Sequence, residues 1–214
     1  MKRQMYMSQL KGGCSPDRFL DGLTLSRLAV RERLASSGVT ACTVFGYGRR
    51  LFVYTEAEER FGRFHWDELS PLLEQWPGLT EDGEAGDCYP MTDIFHYCKP
   101  EAYVSWRAEY EPEKRVGLLA RLKPHMASSY IYYHYLRQEE LPGSGNRSFV
   151  IGYALPYIFS YQEHPAVIKP LAPRMITGLV PGDWQEAMDP HFDKWDDTDE
   201  EQRIWRRLQG VTII

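Results

Sequence analysis

The chain lacks a long apolar run, a long basic run and any close pair of cysteines. No stretch approaches the roughly 18 to 20 apolar residues that a membrane helix needs. With a net charge of −5 and its basic residues dispersed, a phosphate-binding surface for nucleic acid is not expected. The four cysteines, Cys14, Cys42, Cys88 and Cys98, are far apart and form no C-x-x-C. That spacing argues against structural zinc and fits reduced thiols in a cytosolic protein. Basic residues open the chain, but no apolar h-region follows them, so no signal peptide is expected. G-x-S-x-G, Walker-loop and dinucleotide fingerprints are all missing, and Gly143-Ser-Gly is a turn rather than a phosphate cradle. His65, His164 and His191 show no metal spacing. No metal or organic cofactor is expected.

What is present is an ordinary globular composition, 43% hydrophobic and 26% charged over 214 residues. That length allows one large domain or two small ones. Fourteen tyrosines and six tryptophans supply aromatic faces with polar tips, which suit cores and small-polar-ligand pockets alike.

The chain also repeats itself. Leu51-Phe-Val-Tyr-Thr-Glu56 recurs as Ile158-Phe-Ser-Tyr-Gln-Glu163, and Val44-Phe-Gly-Tyr47 as Val150-Ile-Gly-Tyr153. Met5 to Lys11 parallels Gly117 to Lys123. The first copy predicts a strand at Gln4–Leu10 and a helix capped by Ser15 and stopped by Gly38. Strands at Thr40–Tyr47 and Leu51–Glu56, a helix near Trp66–Trp76 and a strand at Pro90–Tyr97 complete it. The second copy predicts strands at Val116–Leu122, Ser148–Tyr153 and Tyr157–Glu163, with a helix at His125–Glu140. Helical residues around Trp184–Arg207 and a strand at Leu208–Ile214 follow. Each copy is thus a β-α-β-β-α-β unit, the ferredoxin-like plan. The fold class is α+β, with two tandem ferredoxin-like units whose sheets pack face to face as an intramolecular dimeric α+β barrel. The boundaries are 1–98, a charged helical linker at 99–114, and 115–214. Pro165–Pro181 is a proline-rich excursion, read as a pocket lid or a surface loop; Asp193–Glu201 is a solvated acidic face or turn.

The chemistry concentrates on Tyr130 and His134. At i and i+4 they share one helix face and offer a phenol and an imidazole to a common pocket.

With its opening strand, Lys123-Pro124, the Tyr130/His134 pair, the strand Ile158–Glu163 and the last strand Leu208–Ile214, the second copy resembles the L-rhamnose mutarotases, a family of small dimeric α+β barrel proteins. The resemblance implies a cofactor-free sugar mutarotase, with His134 as proton donor and Tyr130 contacting the sugar. It also implies a sugar-binding shell: Phe149 stands where the family carries a tyrosine, and Phe192 and Trp195 are the nearest matches to an adjacent tryptophan pair. The first copy has Phe19 and Leu23 in place of the pair, so it is a scaffold half. Tyr133 and Tyr161 join the candidate ligand contacts. Strand alternation puts Phe159, Tyr161 and Glu163 on one face, making Glu163 a second proton carrier if that face is the pocket's. The expected partner is a monosaccharide, without nucleic acid or membrane, on a monomer or homodimer in the cytoplasm. Two other readings stand beside it: a non-catalytic sugar or small-ligand binder, and a barrel monooxygenase or lyase.

Overall fold

Tight alternation and β-branched or aromatic residues set the strands of this chain, and glycine and proline cut it between them. The computed structural model describes residues 1–77, 83–98 and 110–214, and it is a mixed α+β protein. The chain divides into two compact units: Met1–Met91 with Leu208–Ile214, and Thr92–Arg207. Of the expected linker, residues 99–109 lie outside the described residues.

In the first unit, β1 (Lys2–Gln9) is flanked by β3 (Arg50–Ala57) and the start of β4 (Tyr89–His96), while β2 (Val39–Tyr47) lies beyond β3. All pairings are antiparallel. Gln209–Thr212, which forms β9, continues this sheet by pairing with β2, Val211 opposite Val44. The closing segment Leu208–Ile214 therefore belongs to the first unit rather than to the second copy.

One long helix was expected between Ser15 and Gly38, and two occur: α1 (Pro16–Leu25) and α2 (Arg27–Ser36). The start is as the residues dictate. Ser15 accepts the Arg18 amide at 3.2 Å, and Pro16 takes the first helical position, where its missing N–H costs nothing. The break falls at Ser26, whose backbone is non-helical and whose hydroxyl donates back to the Gly22 carbonyl at 2.8 Å. Phe19, Leu20, Leu23, Val30 and Leu34 are buried, but Leu25 and Leu28, flanking the break, are 90% and 73% exposed. Gly38 ends α2 with φ +91, a conformation that disfavours side chains.

The helix expected over Trp66–Trp76 is only a 3-10 turn at Asp67–Leu72. Pro71 removes a backbone donor inside it, and Leu73 has already turned extended to bridge Leu10. Trp66, just ahead, is a core residue; its indole N–H donates to Ser8 Oγ at 2.8 Å.

In the second unit, β5 (Lys114–Arg121) lies between β7 (Tyr157–His164) and the short β8 (Arg206–Arg207). On the far side of β7 come β6 (Val150–Ala154) and the end of β4. Both units thus place their four principal strands in the same antiparallel order: last, first, third, second. Helix α3 (Ala127–Glu140) follows a 3-10 turn at Pro124–Met126 and packs on one face of the sheet. The expected Trp184–Arg207 helix reduces to α4 (Trp184–Met188) and two single turns, Asp189–His191 and Glu200–Gln202. Pro190 stops it, and the acidic run beyond offers repulsive neighbours at helical spacing. The excursion 165–181 contains no helix or strand. It is tied to the end of α3 by the Arg174 amide, donating to the Glu139 carbonyl at 2.9 Å, and by an Arg174–Glu139 ion pair. Among the described residues, no helix is long and apolar enough to cross a membrane.

Candidate functional site

Helix α3 carries Tyr130, His134 and Arg137 at i, i+4 and i+7, so the three stand in one stripe. The sheet beneath contributes a single cross-strand row. Register pairs Leu118 with Ser160, Ser160 with Ile151 and Ile151 with Phe95, which puts these four residues on one face. Residues of α4 and the segment after it, Trp184, Gln185, Met188, Phe192 and Trp205, form the third wall. Tyr97 and Phe149 complete the lining of a cavity of about 260 Å³ lying wholly in the second unit. That is the small end of ligand-sized pockets.

His134 is the most constrained group there, with 5% of its surface exposed. Its ring stacks on Tyr130 with centroids 4.0 Å apart and meets Phe95 and Trp184 edge-on at 5.3 and 4.9 Å. Nδ1 is 2.9 Å from the Tyr130 carbonyl oxygen. A carbonyl only accepts, so Nδ1 carries the proton and Nε2 keeps its lone pair. Burial pushes the imidazole down to about 4, with the nearby Arg137 and His191 adding to the fall and the Tyr130 carbonyl opposing it. At neutral pH the ring is uncharged. Its Nε2 can therefore accept a hydrogen bond. Burial also raises the Tyr130 phenol, which therefore stays protonated. Among the described residues, nothing accepts a hydrogen bond from that hydroxyl.

No family model, curated protein or solved structure matches this chain.

Of the residues singled out in the sequence, Tyr130, His134, Phe149 and Phe192 line the cavity. Tyr133 does not; its half-buried ring meets His191 edge-on at 6.1 Å. Trp195 is elsewhere, its ring facing the guanidinium groups of Arg121 and Arg206 at 4.2 and 4.8 Å and its indole N–H donating to the Ile204 carbonyl. Tyr161 and Glu163 are on the sheet face opposite the cavity, the Tyr161 hydroxyl donating to Glu163 Oε1 at 2.7 Å. Glu163 is therefore not a proton carrier for His134. The first unit repeats that arrangement, with Tyr54 donating to Glu56 Oε1 at 2.9 Å, which marks the pair as structural. His96 pairs with Asp93 at 3.0 Å and lines a separate cavity beside Cys98 and Arg174. Among the described residues, no group of three His, Cys, Asp or Glu side chains is placed to hold a metal.

Arg137, not among the residues that the sequence singles out, continues the Tyr130/His134 stripe. Its Nε donates to the Tyr97 hydroxyl at 3.2 Å, and its guanidinium lies 4.4 Å over the Trp184 ring. Tyr97 is in turn fixed by Gly145, where a Cβ would stand 2.2 Å from the Tyr97 ring. Gly145→Ala is expected to displace Tyr97 and break its bond to Arg137, at an overpacking cost of about 1–3 kcal/mol. Urea unfolding measures the loss, and an unchanged midpoint would show that Tyr97 has room to move.

Proposed function

We propose that the cavity beside His134 binds a monosaccharide and interconverts its anomers without a cofactor. The observation that carries this reading is the stacked pair itself: an uncharged imidazole with an available Nε2, and a protonated phenol whose hydrogen is uncommitted. In the forward direction His134 takes the proton of the anomeric hydroxyl as Tyr130 gives its own to the ring oxygen. The bond between the anomeric carbon and the ring oxygen breaks, leaving an open-chain aldehyde. Rotation presents the other aldehyde face. The ring oxygen then attacks, its proton returns to Tyr130, and the imidazolium reprotonates the new hydroxyl. Protons balance, and the catalyst ends as it began.

The lining supports a sugar. Phe95, Phe149, Trp184 and Trp205 provide apolar faces for ring C–H groups, while Tyr97, Arg137, Ser160 and Gln185 provide polar tips. Leu118, Ile151, Met188 and Phe192 make the rest of the lining apolar, which would also suit the greasier substrate of a monooxygenase or lyase. The tandem strand order supports reading the two units as diverged ferredoxin-like copies akin to the L-rhamnose mutarotases, the second copy keeping the chemistry. All four cysteines are thiols, in keeping with a cytoplasmic location.

A second reading rests on the depth of the imidazole's shift. A base held near 4 accepts a hydrogen bond readily but takes a full proton poorly, because catalysis is best served by a value near the working pH. That favours a binding protein. Saturation-transfer NMR over a panel of monosaccharides separates the two. Magnetisation passing between anomer signals faster than in buffer establishes the mutarotase. Ligand contacts without exchange establish the binder, and neither on any sugar overturns both.

A further inference from the structure

Arg137 has a charge that the mechanism does not use. Arg121, Arg174, Arg203 and Arg206 of the same unit each pair with an acid. Arg137 does not: among the described residues no carboxylate meets it, and no Asp or Glu lines the cavity. Its protein contacts occupy one N–H, on Tyr97, and one flat face, on Trp184. A guanidinium has five donors in a rigid fork, so its terminal N–H groups remain for a ligand. The two lining indoles, Trp184 and Trp205, also only donate. A neutral sugar offers hydroxyls that seek acceptors as well as donors; a carboxylate only accepts.

We propose that the natural ligand of this cavity is an acidic monosaccharide of the uronic acid class, whose carboxylate is received by the Arg137 guanidinium. This rests on the sugar reading above and names its substrate class. In a hexuronic acid the carboxylate is carried on the carbon next to the ring oxygen. Anchoring it holds in place the very atom that Tyr130 must protonate. The Trp184 face and the Tyr97 hydroxyl hold the fork before the ligand arrives, which lowers the ordering cost of binding. Arg137 is on this view a specificity residue that touches substrate, while the proton transfers belong to its neighbours on the stripe.

The test compares sodium glucuronate and galacturonate with glucose and galactose by isothermal titration and by anomer exchange, in wild type, Arg137→Gln and Arg137→Lys. Wild type is expected to bind one uronate at least about tenfold more tightly than its neutral counterpart. Arg137→Gln should lose about 10- to 100-fold on the uronate, as charge-assisted hydrogen bonds of this kind are worth, and clearly less on the hexose, which meets Arg137 only as one polar group among several. Arg137→Lys keeps the charge without the fork and should fall between; it also covers the case in which the glutamine variant misfolds. Equal affinity for acid and neutral sugar in wild type, or the same loss on both in the variants, overturns the proposal. Exchange of neutral hexoses without uronate preference would leave the mutarotase reading standing and remove this one. Uronate binding without exchange would do the reverse.

Discussion

Replacing His134 by alanine or glutamine is expected to cut catalysed anomer exchange by roughly 100- to 10,000-fold, the range that a positioned acid or base contributes. The glutamine variant is the sharper instrument. It keeps a polar group of similar reach against the Tyr130 carbonyl, so the aromatic surroundings of Phe95, Tyr130 and Trp184 lose less packing than with alanine. It has no lone-pair nitrogen that can take a proton. Sugar affinity should hold within a few-fold as exchange collapses, which is the signature of an interaction needed in the transition state rather than for binding. Tyr130→Phe keeps the stacked ring and removes only the acidic hydrogen, so it should lower exchange with little change in stability. The wild-type rate should be level near neutral pH and fall under acid as the imidazole, held at about 4, protonates and can no longer accept. Undiminished exchange in His134→Gln would move the chemistry away from this residue altogether.

How much of this site the sequence discloses depends on which kind of periodicity carries it. Tyr130 and His134 were legible because helical spacing is local: residues at i and i+4 share a face whatever the tertiary structure. Arg137 obeys the same spacing and was equally within reach. Phe95, Ile151, Ser160 and Leu118 were not, because they meet through the register of four strands, and register is a long-range property. Strand alternation correctly grouped Tyr161 with Phe159 and Glu163, yet a period of two says which residues share a face and not which face meets the helix. That ambiguity put Tyr161 among the sugar contacts. The strands β1 to β7 were visible within about two residues at most of their ends. The second helix of each copy was not, because proline at 71 and 190 and the acidic run after Asp193 reduce those segments to turns that hydrophobic patterning alone does not reveal. Ser26 broke α1 from α2 through a local side-chain hydrogen bond, a competitor that apolar spacing ignores.

Acidification should destabilise the protein by about 3 kcal/mol through His134 alone, in the window between pH 6.5 and pH 4. An unfolded chain protonates this imidazole near 6.5, whereas the native cavity holds it unprotonated down to about 4. Between those values the unfolded state binds the extra proton, so falling pH draws the equilibrium toward it. Above 6.5 the stabilisation is complete, and below about 4 it is gone; at roughly 1.4 kcal/mol per pH unit the interval yields the figure above. Other groups titrate during acidification, which is why the comparison matters more than the wild-type curve. Chemical unfolding of wild type and His134→Gln at pH 7, 5.5 and 4.5 isolates the difference: the wild-type advantage at pH 7 should shrink steadily with acid. The result also bears on the mechanism. Parallel curves for the two proteins would mean that the imidazole titrates near its ordinary value in the native cavity. A solvated His134 of that kind would be partly protonated under mildly acidic conditions and able to start the reaction as a donor. A converging pair of curves instead fixes it as buried and uncharged, the state from which the proposed ring opening starts.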